Sequence, residues 1–365
     1  MLYNYPPEAT HGNWLHWCLA QILIRIHGDL ELNQTPPGWP QIIPDEHRDR
    51  LRRRHKLRDL VSDYQTALDT LSLDDQKRVR ETLVRQNQLR RVLCGRRTCD
   101  RIDALPEAIR KPAKDLFEFA FGLLTALEIR DGHYRTIYER SQDKLCPFCA
   151  LEYFDAPGAP REDDDHYLPK THYPFAAANL WNLVPMGHKC NSRYKKTNDP
   201  IMNGSGVSRR ALNPYGSQCF TVSLDGSTMT QVPDELGFVW NIVFSPDVDE
   251  AATWDAIFQI TTRYRRDVLD PHWYDWLQTF GLYAIEKDVS DTAGIRAAMN
   301  SYIRILEFSG LRDRNFLMAA FFKYILSELE AGNEAIVRLV QRAIKETRAR
   351  TNEIGKTANG QLVDC

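Results

Sequence analysis

Between Cys146 and Lys196 the chain gathers residue types and spacings suited to hydrolysing a phosphodiester. Cys146-Pro-Phe-Cys149 is followed by Asp165-His166-Tyr167-Leu168-Pro169, then by Asn182-Leu183-Val184-Pro185, then by Lys189-Cys190-Asn191-Ser192-Arg193. Cutting a phosphodiester calls for a divalent cation to stabilise charge on the scissile phosphate and on the departing oxygen, an effect worth several kcal/mol. Asp165 is the natural anionic ligand for such a cation. Its neighbour His166 can take a proton from water near neutral pH, since imidazole titrates at about 6.5. Period-two geometry along a strand sends adjacent side chains to opposite sides, so one of the pair is expected to face metal and the other water. Cys146 and Cys149 have the spacing of one half of a tetrahedral zinc site, with buried free thiols as the alternative.

This order of elements resembles the HNH, or ββα-metal, endonucleases over about 55 residues. The resemblance implies that Asp165 binds catalytic Mg2+ or Mn2+, that His166 is the general base, that Asn182 braces the intervening loop and that Asn191 is a second ligand of the catalytic metal. Pro169, Leu183 and Pro185 fit the same pattern. Arg193, Lys195 and Lys196 fall on the helix expected to begin near Cys190, where they would hold phosphates. Zinc-bearing HNH proteins supply a second Cys-x-x-Cys just before the helix Asn. Here Cys190 takes the last place and Gly187 stands where the fourth thiolate is expected. His188 is the substitute, which gives a structural Zn2+ on Cys146, Cys149, Cys190 and His188. The run Glu162-Asp163-Asp164 and Asn179 read as loop residues. The Cys-x-x-Cys, Asp-His-Tyr-Leu-Pro-Lys and Tyr-Pro-Phe segments are similar to those of effectors of bacterial anti-phage systems, including Septu-type and retron-associated nucleases that work beside an ATPase. That likeness implies antiviral defence and a regulatory protein partner, with an ATPase as the candidate.

The elements around this core are expected to be mainly helical, giving an α+β fold with a small zinc-stabilised module between helical regions. Residues 1–140 form the first region, 141–245 the module with a small β extension, 246–350 a second helical region and 351–365 a loose tail. Asn13 caps a helix carrying Trp14, Trp17, Cys18, Ile22 and Ile26, with Gly28 as its stop. Asp45 opens a charged helix to about Thr70. Ser72 and Asp75 form a capping box for Leu73 to Cys94, closed by Gly95. Another helix follows Pro112 and closes at Gly132. Strands are expected at 219–226, ending on an Asp225-Gly226 turn, and at 238–244. Helices return from Ala251, and the last three, at 295–308, 316–329 and 335–348, read as a bundle. On the second of them Phe316, Ala320, Phe321, Tyr324 and Ile325 offer an apolar face for a partner, or for packing within the chain.

Charge is uneven although the total is only -2 over 365 residues. Sixteen basic residues face ten acidic ones between 45 and 101, a net of +6. Arg52, Arg53 and Arg54 with their neighbours would add salt-dependent, sequence-blind affinity for DNA, or form a solvated face. Eight cysteines at irregular spacing in a chain of this length point to reduced thiols rather than disulfide staples. No apolar run approaches a membrane span and no leader pattern opens the chain, so a cytoplasmic protein is expected. DNA is the expected substrate, with RNA open. One such site cuts one strand, so double-strand breaks call for a homodimer or successive nicks. A non-catalytic zinc module that binds nucleic acid or a partner protein is the rival reading.

Overall fold

The computed structural model describes residues 1–159, 164–232, 235–289 and 291–360. The chain folds as α+β, mainly helical, in two compact units: Met1–Cys219 with Asp249–Phe258, and Phe220–Val248 with the chain from Gln259 onward. The first region and the cysteine module therefore share one unit rather than standing as two. Their common core explains this: Leu15, Leu19, Ile22, Tyr64, Phe117 and Leu124 bury together with Phe175, Ala177, Leu180 and Leu183 of the module. The strands expected to extend the module belong to the other unit.

The first unit opens with α1 (Trp14–Glu31), α2 (Asp45–Leu51), α3 (His55–Asp69), α4 (Leu73–Gln86), α5 (Leu89–Leu93), α6 (Glu107–Ala126) and α7 (Ile129–Arg140). The single charged helix expected from Asp45 is two, with Arg52, Arg53 and Arg54 at the break. Leu51 and Leu57 are both buried to the last fraction. On one continuous helix, at about 100° per residue, Leu51 would lie roughly 120° from the stripe of Leu57, Leu60, Val61, Tyr64 and Leu68. The turn lets both sides reach the same core. The next helix also breaks, after Gln86, where Asn87 Nδ2 donates to Leu83 O at 2.8 Å and to Phe175 O at 3.1 Å. Ser72 caps its start: its Oγ accepts from Asp75 N at 3.2 Å and donates to Asp75 Oδ2 at 2.9 Å, in place of the reciprocal backbone bond of a full capping box. Gly95, with φ of 73°, follows α5. Pro112 lies inside α6 instead of before it. The buried stripe Ile109, Ala113, Leu116, Phe117 and Leu124 stays in phase through it, and that burial outweighs the one backbone bond a proline lacks. Gly132 likewise sits inside α7, not at its end.

Two short strands, β1 (Asp164–His166) and β2 (Leu183–Pro185), then pair antiparallel with Asp165 opposite Val184 and His166 opposite Leu183. A π-helical turn follows at Lys189–Lys195. In the second unit β3 (Thr221–Ser223) pairs with β6 (Val243–Ser245), and β4 (Thr228–Val232) pairs with β5 (Glu235–Val239). The strand expected over 238–244 is thus split between two ladders. Trp240 between them turns inward, stacks on Phe238 at 4.6 Å and donates from Nε1 to Asp270 Oδ1 at 2.8 Å.

The helix α8 (Asp249–Phe258) returns to the first unit. The second unit continues with α9 (Ile260–Tyr264), α10 (Asp270–Glu286), α11 (Thr292–Ser309), α12 (Asn315–Glu330) and α13 (Glu334–Gly360). Gly310, at φ of 67°, ends α11 as its position suggests. The α13 helix runs through the residues expected to form a loose tail from Thr351 as far as Gly360. On α12, Ala320, Phe321, Tyr324 and Ile325 are buried and Phe316 partly so. Phe321 packs edge-on against Phe238 and Trp240. The apolar face considered for a partner is interior to its own unit. No helix among the described residues is long and apolar enough to cross a membrane.

Two histidines in the helical core give the fold an acid limit. Burial pushes His16 down to about 3 and His27 to about 4, against an ordinary value of 6.5. His16 has neither ring nitrogen hydrogen-bonded, while His27 Nε2 lies 3.0 Å from Tyr64 Oη. Both stay neutral when folded and take a proton once unfolded, so the unfolded chain binds more protons below pH 6.5. Stability is expected to be level above pH 6.5 and to fall as the pH drops toward 4, by on the order of 2 kcal/mol per histidine at pH 5. Urea unfolding at pH 7 and pH 5 measures this, and His16→Leu should flatten the slope. An unchanged slope in that variant removes His16 from the account.

Candidate functional site

Cys146 and Cys149 sit at the tip of a tight reversal closed by the Leu145–Tyr153 bridge. Cys146 O accepts from Ala150 N at 2.7 Å, and Ala150 turns the chain with φ of 50°. Cys190 comes from the π-helical turn on the other side. The three sulfurs lie within 4.8 Å of one another, all buried, in an arrangement that can hold a metal ion. None of the seven described cysteines forms a disulfide. Two backbone amides serve the sulfurs: Leu151 N is 3.4 Å from Cys149 Sγ, and Gly187 N–H donates to Cys146. Amides aimed at sulfur favour the thiolate, the form that binds metal, whereas burial first, and then the neighbouring cysteines, raise Cys146 and Cys190 above their usual range. The donor set therefore fits a soft or borderline cation such as zinc.

His188 does not join this cluster. Its ring is exposed and Nε2 lies 3.2 Å from Ser192 Oγ. Residues two apart on a helical turn do not share a face, so with Cys190 pointing inward His188 points away. Gly187 explains why no fourth thiolate stands there, since a Cβ on it would meet Glu152 Oε2 at 2.7 Å. That carboxylate accepts from Lys189 N at 3.0 Å and fixes the start of the turn. Phe148, between the paired cysteines, anchors the knuckle to aromatic neighbours. Phe258 is 4.7 Å away and Trp254 Nε1 donates to Phe148 O at 2.9 Å.

His166 ends β1 with its ring buried and its Nε2 2.9 Å from Ala177 O. A carbonyl can only accept, so Nε2 carries the hydrogen and the lone pair lies on Nδ1. Phe121 flanks the ring at 4.5 Å, and the cations of Arg130 and Lys170 lie over Phe121 at 4.7 and 5.5 Å. Burial, and then the positive charges of Lys170, Lys195 and Arg130, push His166 down to about 3. This departs from the expected titration near 6.5, because a desolvated imidazole among three cations resists a further positive charge. A hollow of about 130 Å³ lined by Lys114, Glu118, Lys170, Thr171, Pro174 and Ala177 opens beside the Ala177 carbonyl.

Asn182 is fully buried and ties the loop between β1 and β2 at three points. Its Oδ1 accepts from Leu168 N at 2.7 Å, and its Nδ2 donates to Leu168 O at 3.0 Å and Ala176 O at 3.2 Å. Ala176 adjoins the carbonyl that holds His166. Asn179, read from the sequence as a loop residue, is instead a buried junction. It accepts from Asn13 Nδ2 at 2.9 Å and Trp181 N at 3.1 Å, and donates to Asn87 Oδ1 at 3.0 Å. Asn13 completes the link by accepting from Leu180 N at 3.0 Å, which is why its side chain does not cap α1. The sequence signal was a polar residue closing the apolar run Phe175-Ala-Ala-Ala178. Asn179→Ala is expected to cost about 2–3 kcal/mol, because it strands buried donors on Asn13 and Trp181. Urea unfolding measures the loss, and a change below about 0.5 kcal/mol would contradict the assigned role.

The remaining expected residues are only partly assembled. The Asp165 side chain lies outside the described residues, as does the run 160–163, so the structure gives Asp165 only a backbone place opposite Val184. Asn191 is half-buried in the π-helical turn, its backbone N bonded to Gly187 O at 3.0 Å. Arg193 and Lys196 are exposed on or after this turn, but Lys195, expected beside them, is buried and its charge faces His166 instead. Cys94 and Cys99 join no metal-holding group among the described residues. The basic stretch near Arg52 is locally paired. Arg52 meets Asp49 at 3.3 Å, Arg48 meets Asp45 at 2.5 Å and Arg58 meets Asp59 at 2.8 Å. Arg53 and Arg54 stand at the turn without a carboxylate partner among the described residues. No protein-family model, curated protein or solved structure matches this chain.

Proposed function

We propose that this protein is a metal-dependent HNH-type endonuclease that hydrolyses DNA phosphodiesters, and that it serves as an effector of bacterial anti-phage defence. The reading rests on His166. A neutral imidazole with its lone pair on Nδ1 is held by a backbone carbonyl on the first of two antiparallel strands, in a loop braced by Asn182 and followed by a basic helical turn. These are two of the parts a general base needs: a fixed tautomer and a fixed ring. His166 takes the proton of the attacking water. Lys170, Lys195 and Arg130 surround it with positive charge that draws in a phosphodiester. The arriving phosphate offsets that charge and raises the basicity of the imidazole when the water must be deprotonated.

Asp165 and Asn191 are the residues proposed to hold Mg2+ or Mn2+, which would stabilise charge on the scissile phosphate. Zinc is proposed for Cys146, Cys149 and Cys190, as a structural ion. Arg193 and Lys196, exposed next to the site, would contact the backbone of the substrate. Arg52, Arg53 and Arg54 are a weaker proposal for the same task, since their neighbourhood is rich in ion pairs. A regulatory partner, an ATPase being the candidate, is proposed to restrain the enzyme in the cytoplasm, at a surface other than the interior face of α12.

The rival, a non-catalytic zinc module, draws support from the low basicity of His166. Supercoiled plasmid separates the two. The purified chain with Mg2+ or Mn2+, alone and with the product of its neighbouring gene, is expected to give nicked circles, and EDTA to prevent them. Intact plasmid, single-stranded DNA and RNA under every one of these conditions would leave the binding module as the better reading.

A further inference from the structure

The positive excess of the first unit is not spent on the paired arginines near Arg52. It falls on α5 and the turn after it, where Arg90, Arg91 and Arg96 are exposed and meet no carboxylate within salt-bridge distance among the described residues. These side chains line two hollows. One, of about 520 Å³, is walled by Arg90, Arg91 and Arg96 with Asn213, Ser217 and Gln218. Glu250, the one acid in it, is taken by Arg210 at 2.9 Å. The other, of about 500 Å³, is walled by Trp17, Gln88, Leu89, Trp181 and again Arg90 and Arg91. Trp17 is 48% exposed, unusual for an indole on a helix whose other face is core. Gln88 Oε1 accepts no hydrogen bond in this wall.

We propose that these two hollows, joined through Arg90 and Arg91, form one track for an unpaired nucleic-acid strand. Bases stack on the indoles of Trp17 and Trp181, and successive phosphates lie on Arg90, Arg91 and Arg96. The chemistry divides as single-strand binding demands, with an aromatic platform indifferent to base identity beside a cationic groove that follows the backbone. Each hollow accommodates a nucleotide unit, and the shared arginines make the repeat of base and phosphate continuous. A free nucleotide would fill one hollow and leave the other idle, which is why a strand is the chosen occupant. As a substrate-holding surface the track rests on the nuclease reading; as a binding surface it is measured without cleavage.

The experiment uses the full chain carrying His166→Ala, in EDTA, titrated into a fluorescein-labelled twelve-residue oligo-dT and followed by anisotropy. Trp17→Ala is expected to weaken binding about tenfold, and Trp17→Phe to restore most of it, as stacking requires. Arg90→Glu with Arg91→Glu should weaken it further and lower the slope of log Kd against log salt by about 1.4, the share of two phosphate contacts. All three positions are exposed, so circular dichroism is expected to show an unchanged fold. No binding by the parent, unchanged binding by either variant, or AMP competing as well per molecule as the oligonucleotide overturns the track. Intact binding with a parent that cuts nothing would retain the track and remove the nuclease reading.

Discussion

His166→Ala is expected to lower the rate of plasmid nicking by on the order of 10² to 10⁴, the usual contribution of a positioned general base. The loss should appear in the chemical step, with DNA affinity close to that of the parent. The variant removes an imidazole that is bonded to Ala177 O, so the strand pair and the Asn182 brace keep their own bonds. Because burial and three cations hold His166 at about 3 in the free protein, the pH profile of cleavage carries extra information. If substrate phosphate restores its basicity, the rate of the bound complex should fall on a limb well above pH 3, while the free chain shows no titration of this ring near neutrality. Nuclear magnetic resonance of the imidazole with and without an uncleavable DNA strand measures that shift. A parent and a variant that nick at equal rates would take His166 out of the chemistry.

The second large effect concerns the three sulfurs. Freshly purified protein is expected to carry one zinc per chain by elemental analysis, and Cys146→Ser to lower stability by at least about 3 kcal/mol, or roughly 10 °C in Tm for a unit of this size. Loss of one donor leaves two buried thiols and opens the reversal on which Phe148 is mounted. Cys219→Ser, at an exposed cysteine outside the cluster, is the control and should change neither metal content nor Tm. Protein without zinc whose melting is indifferent to chelator would refute the metal assignment.

How far these features were legible in the sequence depends on the range of the interaction involved. Local signals transferred well. Ser72 caps its helix, Gly310 ends another, and the Cys-x-x-Cys spacing puts two sulfurs on one turn, because each depends on neighbours a few residues away. The antiparallel pairing of the short strands at His166 and Leu183 is a finding of the structure, which the motifs on either side did not state. What failed was polar and long-range. Nothing in periodicity shows that Asn179 bonds to Asn13 and Asn87, more than ninety residues off, or that Asn87 interrupts a helix to reach Phe175. Lys195 looked like surface because lysine usually is, and its burial beside His166 is a tertiary decision. His188 is the donor next to Gly187, where the HNH pattern expects a fourth thiolate. Its rejection needed the helical phase of the turn and the Glu152 carboxylate standing against Gly187.

The passage of α8 back into the first unit sets a limit on how this protein could have been assembled. The chain crosses between its two units three times, after residues 219, 248 and 258. A single recombination point therefore cannot exchange one unit for a foreign one. Any graft that keeps residues 1–219 and replaces everything after them removes Trp254 and Phe258 from around Phe148, and with them the aromatic floor of the cysteine knuckle. Descent by insertion, with the strands of 220–248 entering as a loop of an older chain, preserves that floor. End-to-end fusion with its junction at residue 219 does not.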